Sequence, residues 1–132
     1  MKKLLICAAI FAAASLLISC KTLKEIPEDK TPAQIIQMGQ NAVSASDYKS
    51  AELCYQTAIE RFGSDASFYV EAKYELAHTY LKQKKYDKAY EIYKEILGLY
   101  DTYGSALPGA YKKLCNIGLS QIPESKLQEL QK

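Results

Sequence analysis

Tyr48-Lys49-Ser50-Ala51-Glu52-Leu53-Cys54-Tyr55 and Tyr86-Asp87-Lys88-Ala89-Tyr90-Glu91-Ile92-Tyr93 lie 38 residues apart and share the pattern Tyr-x-x-Ala-x-x-x-Tyr. Steps of three and four put these residues on one face of a helix. At the same offset Phe62 falls on Tyr100, Ile59 on Leu97, and Met38-Gly39 on Leu76-Ala77. Self-similarity at such a period marks one supersecondary unit used more than once.

Working outward, each unit divides into two helices. Ile35, Ile36, Met38, Gly39, Ala42 and Val43 form a helical stripe, as do Val70, Tyr74, Ala77, Tyr80 and Leu81 in the next unit. Thr31 followed by Pro32 supplies a cap and a favoured first helical residue. Only Ser46-Asp47 separates the first two helices, so they fold back as an antiparallel hairpin. The spacing predicts helices over about 32–45, 48–62, 67–83, 86–100, 106–121 and 123–131. The expected fold class is all-α: two and a half helix hairpins stacked side by side, with a last helix capping the stack. Each pair leaves an apolar face for its neighbour to cover.

These residues carry a family resemblance. Ile35, Met38, Gly39, Tyr48, Ala51, Tyr55 and Ala58 in the first unit resemble the tetratricopeptide-repeat (TPR) pattern. So do Leu76, Ala77, Tyr80, Tyr86, Ala89, Tyr93 and Ile96 in the second. Leu114, Ile117 and Gly118 are similar to the start of a third unit, and Lys73 stands where the pattern has a bulky apolar residue. The resemblance implies that small residues at the crossings let paired helices approach, while tyrosines fill the gap to the next pair. It also implies a curved stack whose first helices line the inner surface. Ile36, Gln40 and Val43, then Tyr74, His78 and Leu81, would lie there and contact a partner; the alternative is ordinary helix surface or packing against the fifth helix.

The N-terminus has a separate logic. Lys2 and Lys3 precede Leu4 to Ile18, a run of 15 residues broken only by Ser15. That is short for a membrane span and fits the apolar part of a secretory signal. The run ends at Leu17-Ile18-Ser19-Cys20, which resembles the lipobox of bacterial lipoproteins. An ordinary signal peptide with an incidental cysteine, or an uncleaved anchor, is the competing reading. The resemblance implies a signal peptide over 1–19, diacylglyceryl transfer to the Cys20 sulfur and cleavage before Cys20. Several acyl chains then hold the protein, since one chain alone binds marginally. Residues 20–31, charged and containing Pro27, read as a tether, and 32–132 as the folded domain. Lys21 follows the cysteine in place of an aspartate that would mark inner-membrane retention, which points to the outer membrane, facing the periplasm.

Composition excludes several functions. After the leader, 15 basic side chains face 15 acidic ones, a balance unsuited to nucleic acid as a partner. His78 is the sole histidine, so no catalytic triad or multi-histidine metal site can form, and no phosphate loop or nucleophile elbow occurs. Neither an enzyme nor a cofactor is expected. Cys54 and Cys115 show no metal spacing; they read as buried apolar residues or as a disulfide of an oxidising compartment. Lys82, Lys84 and Lys85 suit a helix C-terminus and a polar turn; contact with anionic headgroups is the alternative. The expected function is a lipid-anchored adaptor that binds a partner protein of the cell envelope. Unit type and anchor are similar to the TPR lipoprotein family of the outer-membrane β-barrel assembly machinery. A transport accessory presenting a small ligand is the second reading; it would need a closed pocket lined by the tyrosines, whereas an adaptor would have an open groove.

Overall fold

The computed structural model describes residues 22–132; the expected signal peptide and Cys20 lie outside the described residues. The elements are α1 (Pro32–Ser44), α2 (Tyr48–Phe62), α3 (Ala66–Lys82), α4 (Tyr86–Tyr103), a single 3-10 turn (Gly104–Ala106), α5 (Gly109–Ser120) and α6 (Glu124–Leu130). The fold is all-α. Helices α1 and α2, then α3 and α4, form antiparallel hairpins, and α5 packs on the second hairpin.

Local chemistry sets the helix starts. Thr31 accepts from the Gln34 amide at 3.3 Å, and its own amide donates to Gln34 Oε1 at 2.9 Å. Two otherwise orphaned donors are thereby satisfied. Asp47 caps α2 by accepting from the Ser50 amide, and Asp65 caps α3 by accepting from the Phe68 amide. Lys85, which stands where Asp47 does one repeat earlier, gives α4 no side-chain cap.

The 38-residue repeat extends to the backbone of the hairpin turns. Ser46 and Lys84 both have left-handed backbones, with φ of 59° and 60°. The Ser46 amide donates to the Val43 carbonyl and that of Asp47 to Ala42; one repeat later Lys84 donates to Leu81 and Lys85 to Tyr80. This paired closure satisfies two carbonyls at each helix end. A residue with a Cβ is strained there by about 1–2 kcal/mol. Lys84→Gly is therefore expected to raise the unfolding free energy by about 1 kcal/mol, measurable as a higher urea midpoint at unchanged slope.

Some ends depart from the predicted ones. Helix α4 runs on to Tyr103 and stops at Gly104, whose φ is 52°. Helix α5 starts at Gly109, not near 106, because Leu107 precedes proline and is extended, with φ −97° and ψ 152°; the proline ring excludes helical backbone there. Helix α6 starts after Pro123 and has 7 residues, against 15 and 18 in α2 and α4.

Packing follows the small-residue logic. Ala51 and Ala89 have no exposed surface, and neither do Tyr55 and Tyr93. A Cβ added to Gly39 would lie 2.5 Å from the Tyr55 ring, and one on Gly118 would lie 2.4 Å from the Tyr93 ring. Tyr55 thus seats on the facing helix of its own hairpin, and Tyr93 wedges against the next one. Among the described residues, the hydroxyls of both tyrosines lack a hydrogen-bond partner. Lys73 is held between helices: its ammonium lies 2.9 Å from Glu95 Oε2 on α4 and 5.3 Å from the Tyr69 ring centre. Tyr69 itself donates to Glu95 at 2.5 Å. Tyr100 donates to the Pro108 carbonyl, joining the end of α4 to the start of α5.

The predicted tether is in part a strap. The Leu23 amide donates to Ser50 Oγ at 2.7 Å, Ile26 is buried, and Arg61 donates to the Ile26 and Pro27 carbonyls at 2.8 Å each. Residues 23–27 therefore run along α2 from its N-terminal end towards its C-terminal end. The charged composition that reads as tether hides Ile26, which is buried, while Leu23 is held through its amide and its side chain stays exposed.

Candidate functional site: the cleft along the first helices

Helices α1, α3 and α5, the first members of the three units, line a two-part open cleft. One part, of about 440 Å³, is bounded by Thr31, Pro32, Ile36, Gln40, Phe68 and Glu71. The other, of about 460 Å³, is bounded by Phe62, Asp65, Phe68, Glu71, Pro108 and Tyr111. Pro32, Phe68 and Glu71 border both. Phe68 is fixed by the Asp65 cap at the start of α3 and meets Phe62 edge-on, with ring centres 6.0 Å apart. Burial, then the charges of Glu71 and Glu75, pushes the Tyr111 hydroxyl up to about 12. It stays protonated at neutral pH and can donate. Arg61 borders the cleft, but its guanidinium is spent on the strap carbonyls. The walls are thus aromatic and apolar, with carboxylates at the rim. Such a trough can hold an extended chain segment through apolar side chains and pair a basic or amide group.

The residues expected on the inner surface divide into three groups. Ile36 and Gln40 border the cleft, although Ile36 is 5% exposed and Gln40 donates to Glu75 Oε1 at 2.9 Å. Val43 is partly buried against the core, and Leu81 is itself a core residue. Tyr74 and His78 stack, with ring centres 5.9 Å apart, but Tyr74 also packs on Tyr93 and on Tyr111 of α5, at 6.1 and 5.5 Å. Tyr74 thus mainly holds the third unit in place. Phe62, Phe68, Glu71 and Tyr111 were not among the expected residues.

No family model and no solved structure matches this chain. A relative does. The chain is 39% identical over 100 residues to an uncharacterized protein of Treponema pallidum (strain Nichols). The similarity covers 75% of this chain and 40% of that protein, so the chain spans well under half the length of the curated relative it matches.

Burial favours the neutral forms of His78, Cys54 and Cys115. Burial pulls His78 below its ordinary value, with Lys82 acting the same way and Glu75 opposing. The folded state then binds this proton less readily than the unfolded chain. Stability from the group is complete above the ordinary pKa of 6.5 and falls as pH drops through it towards the folded value. The urea midpoint is expected to fall between about pH 7.5 and about 5.5, and His78→Gln should flatten that fall. Burial pushes the Cys54 thiol up to about 11, with Asp47 adding to the effect, and the Cys115 thiol up to about 12. Both are free and buried, so of the two sequence readings the structure holds the unbridged one. Among the described residues no cluster of three or more His, Cys, Asp or Glu could hold a metal ion. None of the described helices is long and apolar enough to cross a membrane.

Proposed function

We propose that this chain is a lipid-anchored helical-repeat adaptor of the TPR type, which holds a partner protein of the cell envelope in the cleft between α1, α3 and α5. The observation that carries the reading is the cleft itself: an open trough with aromatic walls, bordered by the first helix of every unit. An open trough favours a polypeptide segment over an enclosed small ligand. The tyrosines that could have lined a closed pocket, Tyr55 and Tyr93, are instead used up in packing between helices. The lipobox-like Leu17-Ile18-Ser19-Cys20 supports anchoring at Cys20, in the outer membrane facing the periplasm.

A photo-crosslinking residue at Phe68 in the lipidated protein, activated in intact envelopes, tests the reading. A discrete protein adduct is expected there and not from the same residue at exposed Tyr103, on α4. Tyr111→Phe, which keeps the ring packed on Tyr74 and removes only the hydroxyl, should weaken the Phe68 adduct while leaving the helical content unchanged. Adducts of equal yield at both positions, or none at Phe68, would count against the cleft.

A further inference from the structure

The strap and the lysine turn meet at one edge of the molecule. Both hairpin turns lie on that edge: Glu52, near the start of α2, accepts from Gln83 at 2.7 Å and from Lys85 at 3.2 Å in the turn between α3 and α4. Lys84, Asp87, Lys126 and Leu130 border a common cleft, which brings α6 beside the same turn. The strap begins there too, because the Leu23 amide is bonded to Ser50 at the start of α2. Leu23 lies three residue steps after Cys20, a reach of at most about 10 Å.

We propose that this edge rests on the bilayer and that its lysines contact anionic phospholipid headgroups. The inference rests on lipidation of Cys20. A lipid attached there, with the strap docked, draws the N-terminal end of α2 to the membrane surface. One helix spacing away, about 8–10 Å, lies Lys82-Gln83-Lys84-Lys85-Tyr86-Asp87-Lys88, with four lysines against one aspartate. Lys85 pairs with Glu52, and Lys88 lies over the Tyr80 ring; Lys82 and Lys84 are exposed. Lysines close to an anionic leaflet are attracted within about a Debye length. Acidic groups are present on this edge: Asp47 is engaged in capping, Glu52 and Glu129 are paired, and Asp87 and Glu124 are exposed.

Lys84 occupies a left-handed position that glycine would fill without strain, giving up local stability for an exposed positive charge, a pattern expected at functional surfaces. Lys85 stands at a cap position where aspartate serves the previous unit, and it pairs with Glu52 and lies over the Tyr80 ring. The opposite edge contrasts with this. The connections Gly63–Asp65 and Gly104–Pro108 carry no lysine or arginine, and the cleft opens beside them. A partner would thus be held on the side away from the bilayer.

The test uses the full lipidated chain in vesicles of phosphatidylcholine with about 30% phosphatidylglycerol. A fluorophore is attached through Ala45→Cys, in the turn between α1 and α2, or through Ser64→Cys, on the opposite edge. Cys54 and Cys115 are buried with raised thiols and label slowly. Headgroup-nitroxide lipid is expected to quench the Ala45→Cys probe several-fold more than the Ser64→Cys probe. The combined variant Lys82→Glu, Lys84→Glu, Lys88→Glu should remove most of that difference, as should pure phosphatidylcholine. Equal quenching at the two positions, or a difference indifferent to these charge reversals, overturns the proposal. Intact-mass measurement of lipid on Cys20 is read separately: an unlipidated Cys20 overturns the anchor and the edge together, whereas a lipidated protein with equal quenching overturns the edge alone.

Discussion

Gly118→Ala is expected to lower the unfolding midpoint by several degrees, while Gly98→Ala, the same substitution in the neighbouring helix, raises it. Both glycines are inside helices, where alanine is intrinsically better by about 0.8–1 kcal/mol. At Gly98 nothing lies within 4 Å of the added methyl group, so the gain is kept. At Gly118 the methyl would lie 2.4 Å from Cζ of Tyr93 and 2.6 Å from Cε2 and the hydroxyl. The ring cannot step aside, because Tyr93 has no exposed surface. Overpacking of this kind costs about 1–3 kcal/mol or more, which outweighs the helical gain. Gly39→Ala follows for the same reason, its methyl meeting Tyr55 Cε1 at 2.5 Å. Combining Gly118→Ala with Tyr93→Leu distinguishes this from a general effect on α5. Leucine has no atoms at the far end of the ring, so the cost of the added methyl should shrink by about 1 kcal/mol or more in that background. A cost unchanged by Tyr93→Leu would falsify the wedge.

The contacts around these glycines also show which parts of this fold were legible in the sequence. The offset of 38 residues found the hairpins because Ala51 and Ala89, Tyr55 and Tyr93 answer to one geometric need, a small residue at a crossing and a ring beside it. The matching left-handed turns were not legible. Ser46 and Lys84 share no side-chain chemistry, and neither is the glycine that usually marks such a turn. The strap escaped for a related reason: Ile26 is one apolar residue among many charges, and its burial depends on a surface assembled from α2. At the cleft, helical phase placed Ile36 and Gln40 correctly on its border. It could not tell that α5 would close over Tyr74, since that depends on where Pro108 starts α5 and brings Tyr111 across. The cleft residues Phe62 and Phe68 lie at the end of one helix and the start of the next, and their meeting edge-on depends on how the connection between them turns.

Ile26→Asp is expected to release the strap and leave the stack of hairpins folded. Ile26 is 5% exposed, and burial of a side chain of this size contributes about 1.5–3 kcal/mol. An aspartate would not be dragged into that site. Desolvating an unpaired carboxylate costs more than the strap gains by docking, so the chain leaves the surface and the loss is capped at the docking energy. Arg61→Ala makes the useful comparison. It removes two bonds from a guanidinium to the Ile26 and Pro27 carbonyls, but Arg61 is exposed and both carbonyls return to water. Its effect should be the smaller of the two, under about 1 kcal/mol. Hydrogen exchange reads the outcome directly: the Leu23 amide, now bonded to Ser50, should lose protection in Ile26→Asp, while amides inside α3 and α4 keep theirs. Continued protection at Leu23, or loss throughout the stack, would contradict a strap that docks independently. With the strap released, the chain between Cys20 and Thr31 reaches up to about 35–40 Å in place of about 10 Å. One buried isoleucine therefore sets whether an anchored domain is pinned at the bilayer by one edge or free to turn above it.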